Sequence, residues 1–320
     1  MTSCIAFHSY KGGTGKTTIA ANLAALLAKK GYRVFLLDLD VYAPSLQAYF
    51  GTKPKRWIND FLNGTAEVGD VVMDTTHMIE EINSNKKIAG KLWVGFCSSR
   101  KEEIYKLEGS TGGGKQDSSK IQLLRRFILL REQLISLHDA EYIIIDTSPG
   151  IRYWSINALA VADTLFLTLK MGDLDIDGTR KMADEIYGSF TKFGAKSYLV
   201  MNRVAGYCVP HYDIMSASQI SSPSPSSPGT SNTTTDTDES RSHHNQKSVI
   251  TVQQQKDETN TISNTLSSEV GMDVISSIAC YCDIQFTNKE FLTAIKYPDH
   301  PFAKQIERLI EKMKTMPTKA

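Results

Sequence analysis

A glycine-rich octapeptide near the N-terminus constrains this chain more than any other feature. Residues 11–18 read K-G-G-T-G-K-T-T, which approximates the phosphate-loop pattern G-x-x-x-x-G-K-[ST], with Tyr10 in the place of its first glycine. The apolar run 3–8 before it is typical of a buried strand. Residues 17–31 after it are rich in alanine and leucine and end at a glycine, as helices often do. The sequence therefore predicts a strand, a tight turn and a helix whose N-terminus faces the turn.

The predicted turn is suited to a nucleotide phosphate. Backbone N–H groups of a glycine-rich turn can close on an anion, and the helix N-terminus adds partial positive charge. Lys16 is predicted to neutralise the β- and γ-phosphates, and the Thr17 hydroxyl to ligate Mg²⁺. The other loop residues predicted to contact the nucleotide are Gly12, Gly13, Thr14, Gly15 and Thr18. A glycine turn without a ligand is the alternative interpretation.

Two further strand ends carry carboxylates. The buried strand predicted over 33–40 ends in Asp38 and Asp40, which lie two residues apart and therefore point the same way. A later apolar run ends in Asp146, and Gly150 follows it. Because ligands gather at the carboxyl ends of parallel strands, Asp146 is predicted to hold Mg²⁺ through a water, and Gly150 to offer its N–H to the γ-phosphate. Turn capping is the alternative role of the aspartates.

These motifs resemble those of the MinD/ParA family of P-loop ATPases, whose variant phosphate loop reads K-G-G-x-G-K-[ST]. Lys11 matches the signature lysine of that family. The resemblance implies that Lys11 reaches the phosphates of a partner's nucleotide in an ATP-bound dimer, where a cation can gate hydrolysis as an arginine finger does. It also implies that Asp40 positions the attacking water and that Asp38 serves the Mg²⁺ region. A solvated surface lysine is the alternative interpretation of Lys11.

Asn202 ends another predicted strand, at the place where related nucleotide folds contact the base. Guanine specificity usually uses N-K-x-D, whose carboxylate pairs with the guanine edge. Residues 202–205 read N-R-V-A and carry no carboxylate. The sequence therefore favours ATP over GTP, with Asn202 as the base contact. A strand-end cap is the alternative role of this asparagine.

Predicted strands and helices alternate along most of the chain. This order predicts an α/β fold of the P-loop NTPase type, with a doubly wound, mostly parallel sheet and helices on both faces. Residues 216–268 interrupt the pattern, and their wealth of Ser, Thr, Asn, Gln and Pro predicts a low-complexity, disordered insertion. A single ATPase domain is therefore predicted over 1–215 and 269–320. The remaining predicted strands cover 91–96, 163–169 and 274–279, and the remaining helices 121–137, 175–193 and about 289–296.

Composition places few limits on the partners. The chain has 320 residues and a formal net charge of +1, so no general attraction to nucleic acid or membrane is predicted. No apolar run reaches the ~18 residues of a membrane span, and the first predicted strand begins too early for a signal peptide. Five scattered cysteines suit a reducing cytosol. A cytoplasmic protein is predicted, with peripheral association with membrane or nucleoid left open.

Two C-terminal features have competing interpretations. Residues 302–314 form an apolar stripe bordered by basic residues, which fits a helix packed on its own sheet or an amphipathic membrane helix of the kind that MinD members carry. Packing is the favoured interpretation. Cys280 and Cys282 invite comparison with the C-x-x-C cluster site of Mrp-type relatives, but their spacing is C-x-C. Core or strand-end cysteines are favoured here.

The resemblance implies an ATPase that binds ATP and Mg²⁺, forms a nucleotide-dependent homodimer and hydrolyses ATP slowly under stimulation by a partner. The implied role is an ATP-dependent dimerisation switch in spatial positioning or partitioning. Its partners are expected to be an unidentified activator or cargo protein, with DNA or a membrane surface as a further possibility. A metal or iron–sulfur cluster carrier of the Mrp type is the alternative, and a small-molecule kinase of the same fold is a third hypothesis.

Overall fold

An eight-stranded sheet organises the described residues, which in this computed structural model are 2–100, 102, 116–192, 194–204, 252–281, 283–284 and 291–316. The strand order is β3-β4-β2-β5-β1-β6-β7-β8. All neighbouring pairs are parallel except β3 and β4, which are antiparallel. The strands are β1 Ser3–His8, β2 Arg33–Leu39, β3 Val72–Asp74, β4 Lys91–Gly95, β5 Tyr142–Thr147, β6 Thr164–Leu169, β7 Lys196–Val204 and β8 Val274–Ala279.

Helices cover both faces of the sheet. Successive strand residues point to opposite faces, so Phe35 belongs to one apolar core together with Phe127, and Leu36 belongs to a second core together with Leu23. A π-helical turn, Ala183–Tyr187, joins α8 to α9. The helices are α1 Lys16–Lys29, α2 Leu46–Phe50, α3 Ile58–Leu62, α4 Val68–Val71, α5 Thr76–Ile82, α6 Gln116–His138, α7 Tyr153–Ala160, α8 Asp173–Met182, α9 Gly188–Lys192, α10 Val252–Val270, α11 Thr293–Lys296 and α12 Pro301–Thr315.

The predicted fold class is confirmed, and each strand predicted from an apolar run is present. The structure adds β3 and the four short helices α2 to α5 between β2 and β4. Segments of three to seven residues are too short to show a helical or strand period, which explains why the sequence did not indicate them. The start of the helix predicted near 289–296 and the end of the one predicted at 175–193 lie outside the described residues.

One boundary of the predicted insertion is corrected. Disorder was predicted as far as residue 268, but α10 begins at Val252. Its apolar residues Ile262, Leu266 and Val270 are spaced four apart and therefore share one helix face, and the last two are buried in the core. The polar composition of the segment concealed this single apolar stripe. The rest of the predicted insertion, 216–251, lies outside the described residues.

The C-terminal stripe packs against the body of the protein, as the favoured interpretation predicted. The apolar side chains of α12, among them Phe302, Ile306 and Leu309, are buried in the same core as α1. His300 caps this helix, since its Nδ1 accepts a hydrogen bond from the Phe302 N–H at 3.0 Å. The apolar face of the described helix is thus covered by the chain itself. Within the described part of the chain, no helix is both long enough and apolar enough to span a membrane.

Candidate nucleotide-binding site

The strand order brings the predicted site residues to one edge of the sheet. β5 lies between β1 and β2, and its Asp146 is paired in register with Asp38 of β2 and with Phe7 of β1. The glycine loop follows β1 directly, so it lies beside both carboxylates. A cavity of about 440 Å³ opens here. It is lined by Gly12, Gly13, Gly15, Lys16, Thr17, Thr18, Asp40, Tyr42, Ala43, Ser45, Tyr49, Pro149, Arg152 and Arg203.

The backbone of the loop has the conformation that its glycines permit. Gly13 and Gly15 have φ values of 72° and 90°, in the left-handed region that side chains disfavour. Gly15 is also the N-cap of α1. A Cβ atom on Gly15 would lie 2.2 Å from Nδ2 of Asn202, and that same nitrogen donates a hydrogen bond to the carbonyl of Thr14 at 2.7 Å. Asn202 therefore holds the loop, in addition to any contact with a base.

Lys16 is held inside the cavity by the loop itself. Its side chain is only 6% exposed, and its ammonium donates to Oγ of Ser9 at 2.9 Å. Ser9 in turn donates to the carbonyl of Lys11 at 2.6 Å. Burial lowers the pKa of Lys16, while Asp146 and Asp40 act in the opposite direction. A buried cation of this kind is suited to a polyphosphate, because anion binding replaces the solvation that Lys16 has lost.

Asp146 lies behind Thr17, which lines the cavity, and the two form an oxygen-rich pair. The Thr17 hydroxyl donates to Oδ2 of Asp146 at 2.5 Å. The other carboxylate oxygen, Oδ1, is buried without a hydrogen-bond partner among the described residues. Burial raises the pKa of Asp146 to about 7, against the opposing influence of Lys16 and Thr17. An unpartnered buried carboxylate oxygen beside a hydroxyl fits Mg²⁺, which uses one or two carboxylates and completes its shell with water and phosphate.

Asp38 has both carboxylate oxygens engaged by backbone. Oδ1 accepts from the N–H of Asp40 and Oδ2 from the N–H of Leu46, each at 3.1 Å. Burial, reinforced by Asp146, raises the pKa of Asp38 well above its usual range. In this conformation Asp38 caps the loop that follows β2, which is the alternative role considered from the sequence. Its participation in the Mg²⁺ region stays a prediction.

Asp40 joins the two loops that border the cavity. Its Oδ1 accepts from the Ser148 hydroxyl at 2.8 Å and from the N–H of Ala43 at 3.2 Å. Ser148 follows β5, so this contact connects the loop after β2 to the loop after β5. Asp40 also lines the cavity. This position is compatible with the predicted alignment of an attacking water, which stays a prediction.

Gly150 and Lys11 lie at the rim of the site. Gly150 has φ 79°, and its N–H donates to the Ser9 carbonyl at 2.8 Å, so this N–H is engaged with the loop after β1. Lys11 is half-buried and does not line the cavity of its own subunit. Among the described residues, no carboxylate forms an ion pair with its ammonium.

Several site residues had no signal in the sequence. Ser9 and Ser148 contribute to the site through their hydrogen bonds with Lys16 and Asp40. A serine outside a recognised motif does not predict such a contact. Arg152, in the loop after β5, and Arg203, near the end of β7, line the 440 Å³ cavity, called the phosphate cavity below. Arg203 has φ 55°, an uncommon value for a side chain of its size, and such outliers often occur at functional sites.

A second cavity of about 350 Å³ continues from the glycine loop past Asn202. Tyr49 and Phe291 stack at its edge, with ring centroids 4.7 Å apart, and the Tyr49 hydroxyl is 2.7 Å from Oγ1 of Thr18. Tyr281 lines the same cavity. Aromatic walls next to a phosphate cavity are suited to a nucleotide base. These aromatic residues are far apart in the chain, so no local motif could have indicated the cavity.

A larger cavity, about 760 Å³, lies at the opposite edge of the sheet. It is lined by residues at the beginnings of the strands, including Ser3 and Thr164, and by the Arg131–Asp163 ion pair with its 3.0 Å contact. Ligands of doubly wound sheets bind at the carboxyl ends of strands. We therefore assign the site to the smaller cavity at the glycine loop.

The loop is supported from outside by Tyr10, whose ring lies against the backbone of α8. A Cβ atom on Gly178 would be 2.0 Å from Cε1 and 2.7 Å from Cγ of Tyr10. We therefore expect Gly178→Ala to lower the free energy of unfolding by about 1–3 kcal/mol, because the ring must move. Tyr10→Ala introduced into this variant should recover most of the loss. Urea unfolding of both single variants and the double variant measures this coupling.

The matched control is Gly69→Ala in α4, where a Cβ atom meets nothing within 4 Å. This change should be neutral or slightly stabilising. Additive losses in the Tyr10 and Gly178 double variant would contradict the contact.

Comparison with known proteins gives matches over the region that contains the site. A family model described as an AAA domain matches residues 2–192. An uncharacterized ATP-binding protein of Methanocaldococcus jannaschii is 32% identical over 171 residues, which are 53% of this chain and 53% of that protein. The chromosome-partitioning ATPase Soj of Treponema pallidum is 26% identical over 180 residues, 56% of this chain and 61% of that protein. The chain thus spans little more than half the length of these relatives.

A solved structure extends the likeness to the whole fold. The septum site-determining protein MinD of Pyrococcus horikoshii, complexed with Mg-ADP, superimposes with a TM-score of 0.61 over 99% of this chain and 97% of that one. The sequence identity is 17%, so this similarity establishes the fold alone. Together the comparisons confirm the family resemblance predicted from the motifs.

Proposed function

We propose that this chain, which belongs to the AAA domain family of P-loop ATPases, binds Mg-ATP and hydrolyses it slowly as an ATP-dependent dimerisation switch in spatial positioning or partitioning. The observation that carries the proposal is a buried Lys16 under the electrostatic influence of Asp146, whose Oδ1 is buried without a hydrogen-bond partner among the described residues. The Lys16 ammonium can neutralise a phosphate, and the unsatisfied Asp146 carboxylate oxygen can serve the metal ion bound to that phosphate. The names of the relatives, an ATP-binding protein and a partitioning ATPase, support the same role.

Each protein group has a defined part in the proposed reaction. Lys16 neutralises the β- and γ-phosphates, while Thr17 and Asp146 hold Mg²⁺, the carboxylate through a water. When bound, Mg²⁺ offsets the charge that develops on the phosphate oxygens. Asp40 orients the attacking water, and Asp38 keeps the loop that carries Asp40 in place through its two backbone hydrogen bonds.

Two observations support a second copy of the chain as partner. Lys11 does not line its own cavity, so its charge is available to another subunit. Large apolar side chains are also exposed in the loops and helix starts that follow β1, β2, β5 and β6, and these four strands end at the same edge of the sheet. They are Tyr10, Tyr42, Ile151, Tyr153 and Leu174, with Leu174 74% exposed. Exposed apolar groups next to a charged cavity are typical of a protein interface.

The trans role of Lys11 is tested by Lys11→Ala. We expect this variant to bind an ATP analogue within about threefold of the wild type, since the loop needs only Lys16 to hold the phosphates. It should not dimerise with ATP, and its hydrolysis should fall by about 100-fold or more, as for the loss of an arginine finger. Sedimentation velocity with and without ATP gives the oligomeric state, and phosphate release gives the rate.

Lys86→Ala, which removes an exposed lysine on a distant turn, is the matched control and should behave as the wild type. An ATP-dependent dimer formed by the Lys11 variant would overturn the trans assignment.

The physiological role is tested with Asp40→Ala. This variant should retain ATP and remain dimeric because water activation is lost. As a positioning or partitioning switch, it should cosediment with DNA or with anionic liposomes in ATP and not in ADP. No cosedimentation with either surface in ATP would count against both roles.

The alternative function, a metal or cluster carrier, gains no support from the described residues. Within them, no group of three or more His, Cys, Asp and Glu side chains is arranged to hold a metal ion. Cys280 is half-buried at the end of β8, and Cys282 lies outside the described residues. Iron analysis of the purified protein tests this alternative directly.

A further inference from the structure

We infer that Arg152 is a phosphate-binding cation of this site, which contacts the terminal phosphate of a nucleoside triphosphate bound in the same subunit. The inference rests on the proposed function and assigns a residue for which the phosphate-loop motif has no counterpart. Arg152 follows β5 two residues after Gly150, and its N–H donates to the Gly150 carbonyl at 3.0 Å. It lines the 440 Å³ cavity together with Lys16 and Asp40.

The Arg152 guanidinium is held at the mouth of the cavity by a weak contact. Its Cζ lies 5.0 Å from the centroid of the Tyr42 ring, and both side chains are exposed. Tyr42 belongs to the loop after β2, so this contact bridges the two loops that Asp40 and Ser148 also join. A cation–π contact at an exposed site is much weaker than a charge-assisted, bidentate pair of an arginine with a phosphate. A phosphate that enters the cavity therefore draws the guanidinium away from the ring.

The charges around the cavity favour Arg152 as an additional cation for the phosphates. Lys16 already faces Asp146 and Asp40, both of which raise its pKa, so part of its charge is offset before any nucleotide arrives. No carboxylate among the described residues forms an ion pair with Arg152. Its charge is thus uncompensated within the described chain. A triphosphate carries more negative charge than a diphosphate, so Arg152 should increase the binding affinity more for the triphosphate than for the diphosphate.

Arg152 is better placed for the terminal phosphate than Arg203. Arg203 lines the phosphate cavity and also the aromatic cavity beyond Asn202, which places it on the base side. Arg152 lines only the phosphate cavity and adjoins Gly150. Of the two arginines, Arg203 thus borders both cavities and Arg152 only the phosphate cavity.

The test is a calorimetric comparison of Mg²⁺ with a non-hydrolysable ATP analogue and with ADP, at protein concentrations where sedimentation shows a monomer. Arg152→Ala should lower the affinity for the ATP analogue by about tenfold or more, and the affinity for ADP by less than about threefold. Arg152→Lys should recover part of the lost affinity, because lysine keeps the positive charge but cannot form the bidentate hydrogen bonds of a guanidinium. Arg152→Met, whose stem still packs on Tyr42, should lose as much as Arg152→Ala.

Arg125→Ala is the control, because it removes an exposed arginine of α6 that lines neither cavity. Three results would overturn the inference: an Arg152→Ala variant with wild-type affinity for the analogue, an equal loss for ADP, or wild-type affinity in Arg152→Met. Failure of the proposed function has a different signature, since the wild-type protein itself would then bind neither nucleotide.

Discussion

Lys16→Ala is expected to reduce the affinity for ATP and ADP by about 100-fold or more, a larger effect on binding than is expected for Arg152→Ala. The Lys16 ammonium is buried and oriented by Ser9 at 2.9 Å, so the cavity loses a cation that is already in position for the phosphates. Both nucleotides should be affected alike, because the motif places Lys16 against the β-phosphate as well as the γ-phosphate. Calorimetric titration of Mg-ATP and Mg-ADP measures the loss.

The Lys16 variant should nevertheless remain folded. Burial lowers the pKa of Lys16, which means that its charged form is disfavoured in the nucleotide-free protein, so removal of the ammonium costs little stability. Lys30→Ala is the matched control at the other end of α1. Its 3.8 Å ion pair with Glu311 is exposed and such pairs contribute little. A Lys16→Ala protein that unfolds normally and binds ATP with near wild-type affinity would contradict the site.

Asp146→Asn is expected to have two opposite effects, a loss of hydrolysis and a gain in the stability of the nucleotide-free protein. Hydrolysis should fall by about 100-fold or more, since the carboxylate that holds Mg²⁺ is lost. At pH 8 the free energy of unfolding should rise by about 1–3 kcal/mol, because the native protein no longer buries a charged carboxylate with an unpartnered oxygen. The Asp146 carboxylate thus lowers the stability of the free protein but is needed to hold Mg²⁺ in the complex, which is a common trade-off between stability and activity.

The gain in stability should depend on pH in a defined direction. The pKa of Asp146 is about 7 in the folded protein, whereas its ordinary value, taken for the unfolded chain, is 3.8. Between these values the folded state holds a proton that the unfolded state has released, so the stability contributed by Asp146 falls as pH rises from about 4 to about 7. The advantage of Asp146→Asn should therefore be greatest above pH 7 and should shrink towards pH 4.

The measurement is urea unfolding of both proteins at pH 5 and pH 8, without nucleotide or Mg²⁺. The pKa of His8 is lowered by burial from 6.5 to about 3, so its contribution to stability increases as pH rises through that interval. His8 is present in both proteins, and its effect cancels in their difference. Asp184→Asn, which changes an exposed carboxylate, is the control and should leave stability nearly unchanged. Equal stability of wild type and Asp146→Asn at pH 8 would contradict the proposed cost of burial.

The parts of the site that were predictable are those encoded by residues close together in the chain. The glycine loop, the strand before it and the helix after it were predicted because left-handed glycines, apolar runs and helix stops act over a few residues. Asp38 and Asp146 were each predicted at the carboxyl end of a strand, where ligands of doubly wound sheets bind. The register that pairs them directly required the strand order.

The errors and omissions also have physical causes. The polar composition of α10 predicted disorder for 252–268, yet one apolar residue per turn suffices once a neighbouring helix and sheet cover that face. The structure adds that both oxygens of Asp38 are engaged by backbone N–H groups, while its predicted place near Mg²⁺ stays a prediction. Composition and motif spacing do not reveal which hydrogen bonds a side chain has already made.

The sequence by itself determined the class of ligand and the class of fold, because a phosphate loop and a βαβ rhythm depend on local conformational preferences. Only the tertiary structure decided which carboxylate oxygen of Asp146 is left unpartnered and which serine orients Lys16. It also brought Arg152 to Tyr42, and Tyr49 to Phe291, across 110 and 242 residues of chain. Burial and pairing of side chains arise from strand order and packing, and for that reason the electrostatics of the cavity could not be deduced from the octapeptide alone.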